Sequence, residues 1–168
     1  MKILFLGDVF AKPGRNAVTR LVPKLITTEG LDLVIANAEN VANGSGVTPE
    51  LADELLAAEV NLLTSGNHIW SKREIIPYLE APGSRLLRPA NYPKGSPGRG
   101  SALVETPDGR KLGVVNVEGR VFMKNLDDPF RRAEEEVEAL KKQGAVAILV
   151  DVHCEASSEK NALGHFLD

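Results

Sequence analysis

Short apolar runs and longer amphipathic segments alternate along most of the chain. Continuous apolar runs, which are typical of strands buried on both faces, occupy residues 2–7, 31–37, 60–66 and 145–153. Segments with apolar positions three and four residues apart predict helices over residues 15–30, 48–59, 71–80 and 129–144, with a further helix beginning at 157. Strands separated by helices predict an α/β fold with a largely parallel sheet covered on both faces.

Local signals refine the helix predictions. Thr48 followed by Pro49 predicts an N-cap and a first helical residue. Ser71, with Glu74 three residues later, has the pattern of a capping box at the start of the third helix. Pro23 is expected to kink or divide the first helix, because proline removes a backbone donor inside it.

The middle of the chain departs from this alternation. Residues 88–100 are rich in proline and glycine and predict a loop. Residues 101–119 predict two strands joined around Pro107, Asp108 and Gly109 as a hairpin. No linker divides the sequence, so residues 1–168 are expected to form one domain.

Composition narrows the class of protein. The chain has 168 residues, enough for one sizeable core. Its formal net charge of −3 gives no sign of the basic surface that binds duplex nucleic acid or an anionic membrane. Cys154 is the single cysteine, which excludes an intramolecular disulfide and favours a reducing, cytoplasmic location. No apolar stretch approaches the roughly 20 residues of a membrane helix, and the apolar run after Met1 is too short for a signal peptide.

Polar side chains follow four of the predicted strands at the point where each strand ends. An aspartate after a strand is by itself more often a turn former, and an isolated Asn-His pair is more often a hydrogen-bonded loop. Ligands of parallel sheets bind beyond the carboxyl ends of the strands, so the joint occurrence at one edge favours a site. The residues are Asp8, Glu39, Asn40, Asn67, His68, Asp151, His153 and Glu155.

These donor types fit a pair of divalent first-row metals such as Mn or Fe. Two such ions about 3.5–4 Å apart clamp a phosphoryl centre and generate a hydroxide nucleophile. A carboxylate gives one oxygen to each ion, which makes Glu39 the natural bridge. His68 is adjacent to a ligand but points elsewhere, so it is a candidate general acid for the leaving alkoxide.

Six segments together closely resemble the YmdB-like branch of the calcineurin-like metallophosphoesterases, in the same order and over essentially the whole chain. They are GDVFAKPGR, NAENVANGSGVT, TSGNHIW, RPANYP, NVEGRVFM and DVHCEASSEK. The resemblance implies a four-layer α/β/β/α sandwich, two metal ions, a homo-oligomer and hydrolysis of 2′,3′- or 3′,5′-cyclic nucleotides or RNA ends. It implies His68 as the catalytic histidine and, as metal ligands, Asp8, Glu39, Asn40, Asn67 and His153.

The sequence departs from the wider superfamily at identifiable positions. Phe10 stands where the broad pattern has a histidine after the first strand, and NAEN replaces the usual GDxxD. Family members continue to a Gly-Thr-His-Thr-His motif with two more histidine ligands, whereas this chain stops at Asp168 without it. His165 is expected to lie on the last helix and not to represent that motif.

Two other functions and several residue roles remain open from the sequence. One alternative is a non-catalytic metal-binding or RNA-linked regulator that retains the fold. Another is a plain nucleotide-binding domain, although GDVFAKPGR lacks the spacing of known phosphate loops. Asp151 could orient an imidazole or bond to backbone, Arg120 could meet a phosphate or an acid, and Cys154 is expected to be buried and inert.

Overall fold

A computed structural model describes residues 1–168. None of its five helices has the combination of length and apolar character required to cross a bilayer. The elements in chain order are β1 (Ile3–Asp8), α1 (Ala11–Glu29), β2 (Leu33–Asn37), α2 (Pro49–Ala57), β3 (Leu62–Thr64), α3 (Ile75–Glu80), β4 (Ser101–Glu105), β5 (Lys111–Glu118), α4 (Pro129–Lys142), β6 (Ala147–His153) and α5 (Ser157–Leu167).

The strands form two separate three-stranded sheets, so the expectation of one largely parallel sheet is wrong. In the first sheet β1, β2 and β3 are parallel; in the second, β5 pairs antiparallel with β4 and parallel with β6. The first sheet extends beyond β3 only by an isolated bridge between Leu63 and Leu86. An apolar run predicts that a strand is buried, but it does not identify the strand with which it pairs. The sequence pattern therefore could not assign the strands to two sheets.

Three apolar clusters define the layers. One lies between the first sheet and α1–α3, with Val34 and Ala36 of β2 facing these helices. The alternate residues of the same strand, Leu33 and Ile35, face the second sheet. The third cluster joins the second sheet to α4 and α5 through Val117 and other residues. The layer order is therefore α/β/β/α, as the family resemblance implied.

The helices differ from their sequence predictions mainly at their starts. α1 begins at Ala11 and continues undivided through Pro23, and Thr48 caps α2 by accepting a hydrogen bond from the Leu51 amide. The capping box at Ser71 is wrong, because α3 begins only at Ile75 and the Ser71 hydroxyl is bonded to Ser45. The predicted hairpin is confirmed as β4 and β5, and His165 lies in α5 as expected.

Leu55 tests how strongly the first apolar cluster stabilises the fold. It is fully buried between α2 and the first sheet, so Leu55→Ala should lower the free energy of unfolding by about 2–5 kcal/mol. Urea denaturation measures this loss. The control is Leu21→Ala on α1, where 44% of the side chain is exposed and a change below about 1 kcal/mol is expected. Equal losses in the two variants would contradict this assignment of the core.

Candidate metal centre

The carboxyl ends of the parallel strands bring the predicted site residues to one edge of the molecule. Asp8 ends β1, Glu39 and Asn40 follow β2, Asn67 and His68 follow β3, and His153 ends β6. The structure connects all of these side chains through two hydrogen-bonded groups that Glu39 joins.

Glu39, His153 and Asn67 form the first group. The Glu39 side chain is almost fully buried, and its Oε1 lies 2.7 Å from His153 Nδ1. On the other side of the ring, His153 Nε2 lies 2.8 Å from Asn67 Oδ1. Burial alone would lower the pKa of His153, but the Glu39 carboxylate beside it raises this pKa above its ordinary value overall.

Asp8, Asn40 and His68 form the second group. The Asn40 amide Nδ2 donates to Asp8 Oδ1 at 2.9 Å, which leaves Asn40 Oδ1 to face His68 Nδ1 at 2.7 Å. An amide oxygen only accepts, so His68 Nδ1 carries a proton and Nε2 is the ring nitrogen that has no hydrogen-bond partner in the protein. The backbone N–H of His68 donates to Glu39 Oε2 at 3.1 Å and thereby joins the two groups.

Gly66 provides the space in which the two groups meet. A Cβ at this position would lie 2.5 Å from Glu39 Oε2 and closer still to His153 Cγ. Both distances are far below van der Waals contact, so only glycine fits beside the imidazole and the carboxylate. Sequence reasoning did not single out this residue, although it directly precedes Asn67 in the TSGNHIW segment.

Asp151 supports the edge in a way that neither sequence interpretation described. Its Oδ2 accepts hydrogen bonds from Thr64 Oγ1 at 2.5 Å and from Asn37 Nδ2 at 3.0 Å, so it bonds neither an imidazole nor the backbone. Burial raises the pKa of this carboxyl. Asp151 therefore joins β6 of the second sheet to the ends of β2 and β3.

Asn116 was missed by the sequence analysis and connects the two sheets beside Gly66. Its Oδ1 accepts from the Ser65 amide and its Nδ2 donates to the Ser65 carbonyl, both at 3.0 Å. The sequence feature that could have identified Asn116 is its position as a single amide inside the apolar run of β5. The pairing is side chain to backbone over 51 residues, which the sequence pattern does not reveal.

Asn116→Leu should cost about 1–3 kcal/mol of folding free energy, because it leaves the buried Ser65 N–H without a partner, while the Ser65 carbonyl keeps its bond from Asn37. Chemical denaturation followed by circular dichroism measures the change. Asn161→Leu, at an exposed position of α5, is the control and should change stability by less than about 0.5 kcal/mol. A denaturation midpoint for Asn116→Leu equal to that of the unmodified chain would refute this role.

Glu118 is a further buried carboxylate at this edge. It ends β5 opposite His153 of β6, and its Oε2 accepts from the Tyr92 hydroxyl at 3.0 Å. Its other oxygen is buried without any hydrogen-bond partner, and burial raises its pKa. A buried unpaired oxygen is costly, which indicates that this carboxylate faces a site that completes its bonding.

The charge at this edge fits a cationic ligand. Glu39, Glu118 and Asp151 are all buried, and no lysine or arginine donates a hydrogen bond to any of them. No three His, Cys, Asp or Glu side chains are arranged to hold an ion by themselves. The carboxylates and imidazoles at this edge instead lie beside the amide oxygens of Asn40 and Asn67. Amide oxygens are suitable ligands for hard and borderline divalent metals.

A profile of the family described as YmdB-like protein matches residues 4–168. The chain belongs to the YmdB-like family. Among its relatives, it is 42% identical over 168 residues to the 2′,3′-cyclic-nucleotide 2′-phosphodiesterase of Bacillus subtilis, covering all of this chain and 62% of that protein. It is 34% identical to a putative phosphatase/phosphodiesterase of Mycoplasma genitalium, over 96% of this chain and 58% of that protein.

Solved structures also resemble this YmdB-like chain over its whole length. A hypothetical protein from Thermus thermophilus superposes with a TM-score of 0.90 at 44% identity, and this chain covers 64% of it. A structure described as a novel phosphatase from Mycoplasma pneumoniae has a TM-score of 0.87 at 31% identity, with 60% of it covered. The YmdB-like chain thus spans about three fifths of the length of the relatives that it matches.

Arg120, Cys154 and Gly46 each have a local hydrogen-bond partner. The Arg120 guanidinium donates to Asn125 Oδ1, so it pairs with neither an acid nor the metal centre. Cys154 is only partly buried, contrary to expectation, and its Sγ donates to the Ala156 carbonyl at 3.3 Å. In the loop after Glu39, the Gly46 N–H donates to the Glu39 backbone carbonyl, which closes that loop onto the backbone of Glu39.

Proposed function

We propose that this YmdB-like chain carries the catalytic site of a metal-dependent phosphodiesterase that hydrolyses 2′,3′-cyclic nucleotides or cyclic phosphates at RNA ends. The main support is the continuous network that connects Asp8, Asn40, His68, Glu39, His153 and Asn67 at the strand ends. The name of the Bacillus subtilis relative supports the choice of substrate.

The donor set fits two divalent ions of the Mn or Fe type. Asp8, Glu39, Asn40, Asn67 and His153 would hold them, with Glu39 as the shared carboxylate because both of its oxygens face the site. When bound, such ions supply Lewis acidity toward phosphoryl oxygens and lower the pKa of coordinated water.

His68 has the geometry of the general acid. Asn40 holds Nδ1–H, so Nε2 is the nitrogen from which the protonated imidazolium would donate a proton to the ribose oxygen that leaves phosphorus. In the proposed reaction, water adds to phosphorus, the bond from phosphorus to O2′ breaks, and that oxygen takes the proton. The product is a nucleoside 3′-phosphate.

Hydrolysis of 2′,3′-cyclic AMP with added Mn²⁺ tests the proposal. Chromatography should show 3′-AMP as the product, with loss of turnover when EDTA removes the metal. 3′,5′-Cyclic AMP, tested in parallel, determines whether the second cyclic class is also a substrate. Bound metal without hydrolysis of either nucleotide or of bis-p-nitrophenyl phosphate would contradict the proposal and favour the regulatory alternative.

The proposal also includes a cytoplasmic location and a homo-oligomer. The first rests on the single cysteine, Cys154, and the second on the family resemblance. Sedimentation equilibrium should give a mass that is a multiple of the 18.1 kDa chain, whereas a monomer at every concentration would contradict the oligomer.

A further inference from the structure

We propose that a basic cavity beside the metal centre binds a second phosphate group, one of the internal phosphodiesters of an RNA strand. The assignment of the strand rests on the proposed function, in which the cyclic phosphate at the RNA end occupies the metal centre. The cavity has a volume of about 570 Å³, within the usual range of ligand sites.

The charge of the cavity lining is opposite to that of the chain. Its basic residues are Arg88, Lys94, Arg99 and Arg132, and Glu136 is its single acid. Four cations against Glu136 and the nearby Glu135, which pairs with Arg132, leave an excess of positive charge in a protein whose net charge is −3. A local excess of this kind attracts an anion by focusing the field inside a concave site.

Arg88 is a buried cation whose hydrogen bonds include no carboxylate. Only 9% of the residue is exposed, and its guanidinium donates to the carbonyls of Pro89, Ala90, Pro97 and Ser96. Burial lowers its pKa, which reflects the cost of holding this charge away from water. These bonds fix the loop that forms one wall, and the positive charge remains available to an anion.

That loop also presents backbone donors. The amides of Gly95, Gly98 and Gly100 donate to no protein acceptor. Gly95 and Gly98 have φ angles of 90° and 77°, which L side chains rarely adopt. Backbone N–H groups without a protein acceptor are suitable donors to an anion that enters the cavity.

The acid in the lining leaves most of the positive charge unpaired. Glu136 accepts a hydrogen bond from Ser101 at 2.6 Å and lies 3.9 Å from the Arg132 guanidinium, which also pairs with Glu135 at 3.0 Å. The unpaired cations are therefore Arg88, Lys94 and Arg99. Arg99 donates only to the Ser84 carbonyl at 2.8 Å, and Lys94 makes no ion pair. Lys94 and Arg99 are also exposed, so both side chains are free to reach a phosphate.

Topology places the cavity next to the metal centre. Arg88 closely follows Leu86, which bridges β3 in parallel, so it lies at the carboxyl edge of the first sheet. Tyr92 lines the cavity and donates its hydroxyl to Glu118, the residue opposite His153. The Tyr92–Glu118 pair therefore lies between the two sites, which makes them neighbours on this edge of the molecule.

Fluorescence anisotropy with a labelled eight-nucleotide oligoadenylate RNA ending in a 3′-phosphate tests the inference. We expect Lys94→Gln/Arg99→Gln to weaken binding on the order of tenfold, since two phosphate contacts are lost. The slope of log K against log salt concentration should fall by about 1.4, because each contact on a single strand contributes roughly 0.7. The matched control, Arg20→Gln/Lys24→Gln on the exposed face of α1, should change neither quantity.

Unchanged affinity and salt slope in the Lys94→Gln/Arg99→Gln variant, or an equal loss in the control, would overturn the inference. Full displacement of the RNA by inorganic phosphate at equal concentration would indicate a small-anion site and would overturn the assignment to a strand. Repeated in EDTA, which removes metal from the metal centre, the assay should show the same loss in the Lys94→Gln/Arg99→Gln variant, because the cavity contains none of the proposed metal ligands. The result of this binding test therefore stands even if the chain fails to hydrolyse cyclic phosphates.

Discussion

Glu39→Ala is expected to abolish phosphodiester hydrolysis, with a fall in kcat of at least about 10³-fold. Both carboxylate oxygens of Glu39 face the site: Oε1 lies 2.7 Å from His153, and Oε2 accepts from the His68 amide. No other side chain connects the two halves of the network. Stopped-time assays with bis-p-nitrophenyl phosphate and Mn²⁺ measure the loss, and Glu134→Ala on the exposed surface of α4 is the matched control.

His68→Ala separates catalysis from metal binding. This variant should lose about 10²–10⁴-fold in rate, the usual contribution of a general acid, while it keeps its bound metal. Its imidazole contacts only the Asn40 amide among the proposed ligands, so its loss removes no donor from the set. If His68→Ala lost the metal as completely as Glu39→Ala, the role of His68 as an acid would be wrong.

Gly66→Ala is expected to damage the site almost as severely without changing any polar group. The added Cβ would lie 2.5 Å from Glu39 Oε2 and closer still to His153 Cγ, so the imidazole and the carboxylate must move apart. We expect a loss of roughly 1–3 kcal/mol in folding free energy from the overpacking, together with at least about a 10²-fold fall in kcat.

Gly164→Ala is the control for this substitution. Gly164 lies in α5 with open space around the position of a Cβ, so alanine should be neutral or stabilising by about 0.5–1 kcal/mol. Urea denaturation and the rate with bis-p-nitrophenyl phosphate measure both variants. A Gly66→Ala protein with unchanged rate and stability would show that His153 and Glu39 are not as closely packed as the structure places them.

The alternation of apolar runs and polar strand ends was sufficient to bring the site residues together. Asp8, Asn67 and His153 were predicted at strand ends, and each lies there, because parallel strands present their carboxyl ends at one edge. The pattern was insufficient for the division into two sheets, since an apolar strand does not reveal which neighbouring strand it pairs with. The four-layer order came from the family resemblance and agrees with the observed packing.

The supporting residues were harder to predict because their partners are distant in sequence. Asn116 pairs with Ser65 and Asp151 pairs with Asn37, across 51 and 114 residues respectively. A polar residue inside an apolar strand signals that some partner exists, but it does not identify that partner. The failed capping box at Ser71 has a similar origin, since its hydroxyl is bonded to Ser45 from another segment.

The central claim is that these strand ends hold two divalent metal ions. Elemental analysis of the purified 168-residue chain after equilibration with Mn²⁺ and removal of free metal measures this directly. We predict about two ions per chain, and less than about half an ion in Glu39→Ala, because the shared carboxylate is lost. A chain without bound metal, or a Glu39→Ala variant with the same metal content as the unmodified chain, would contradict the account.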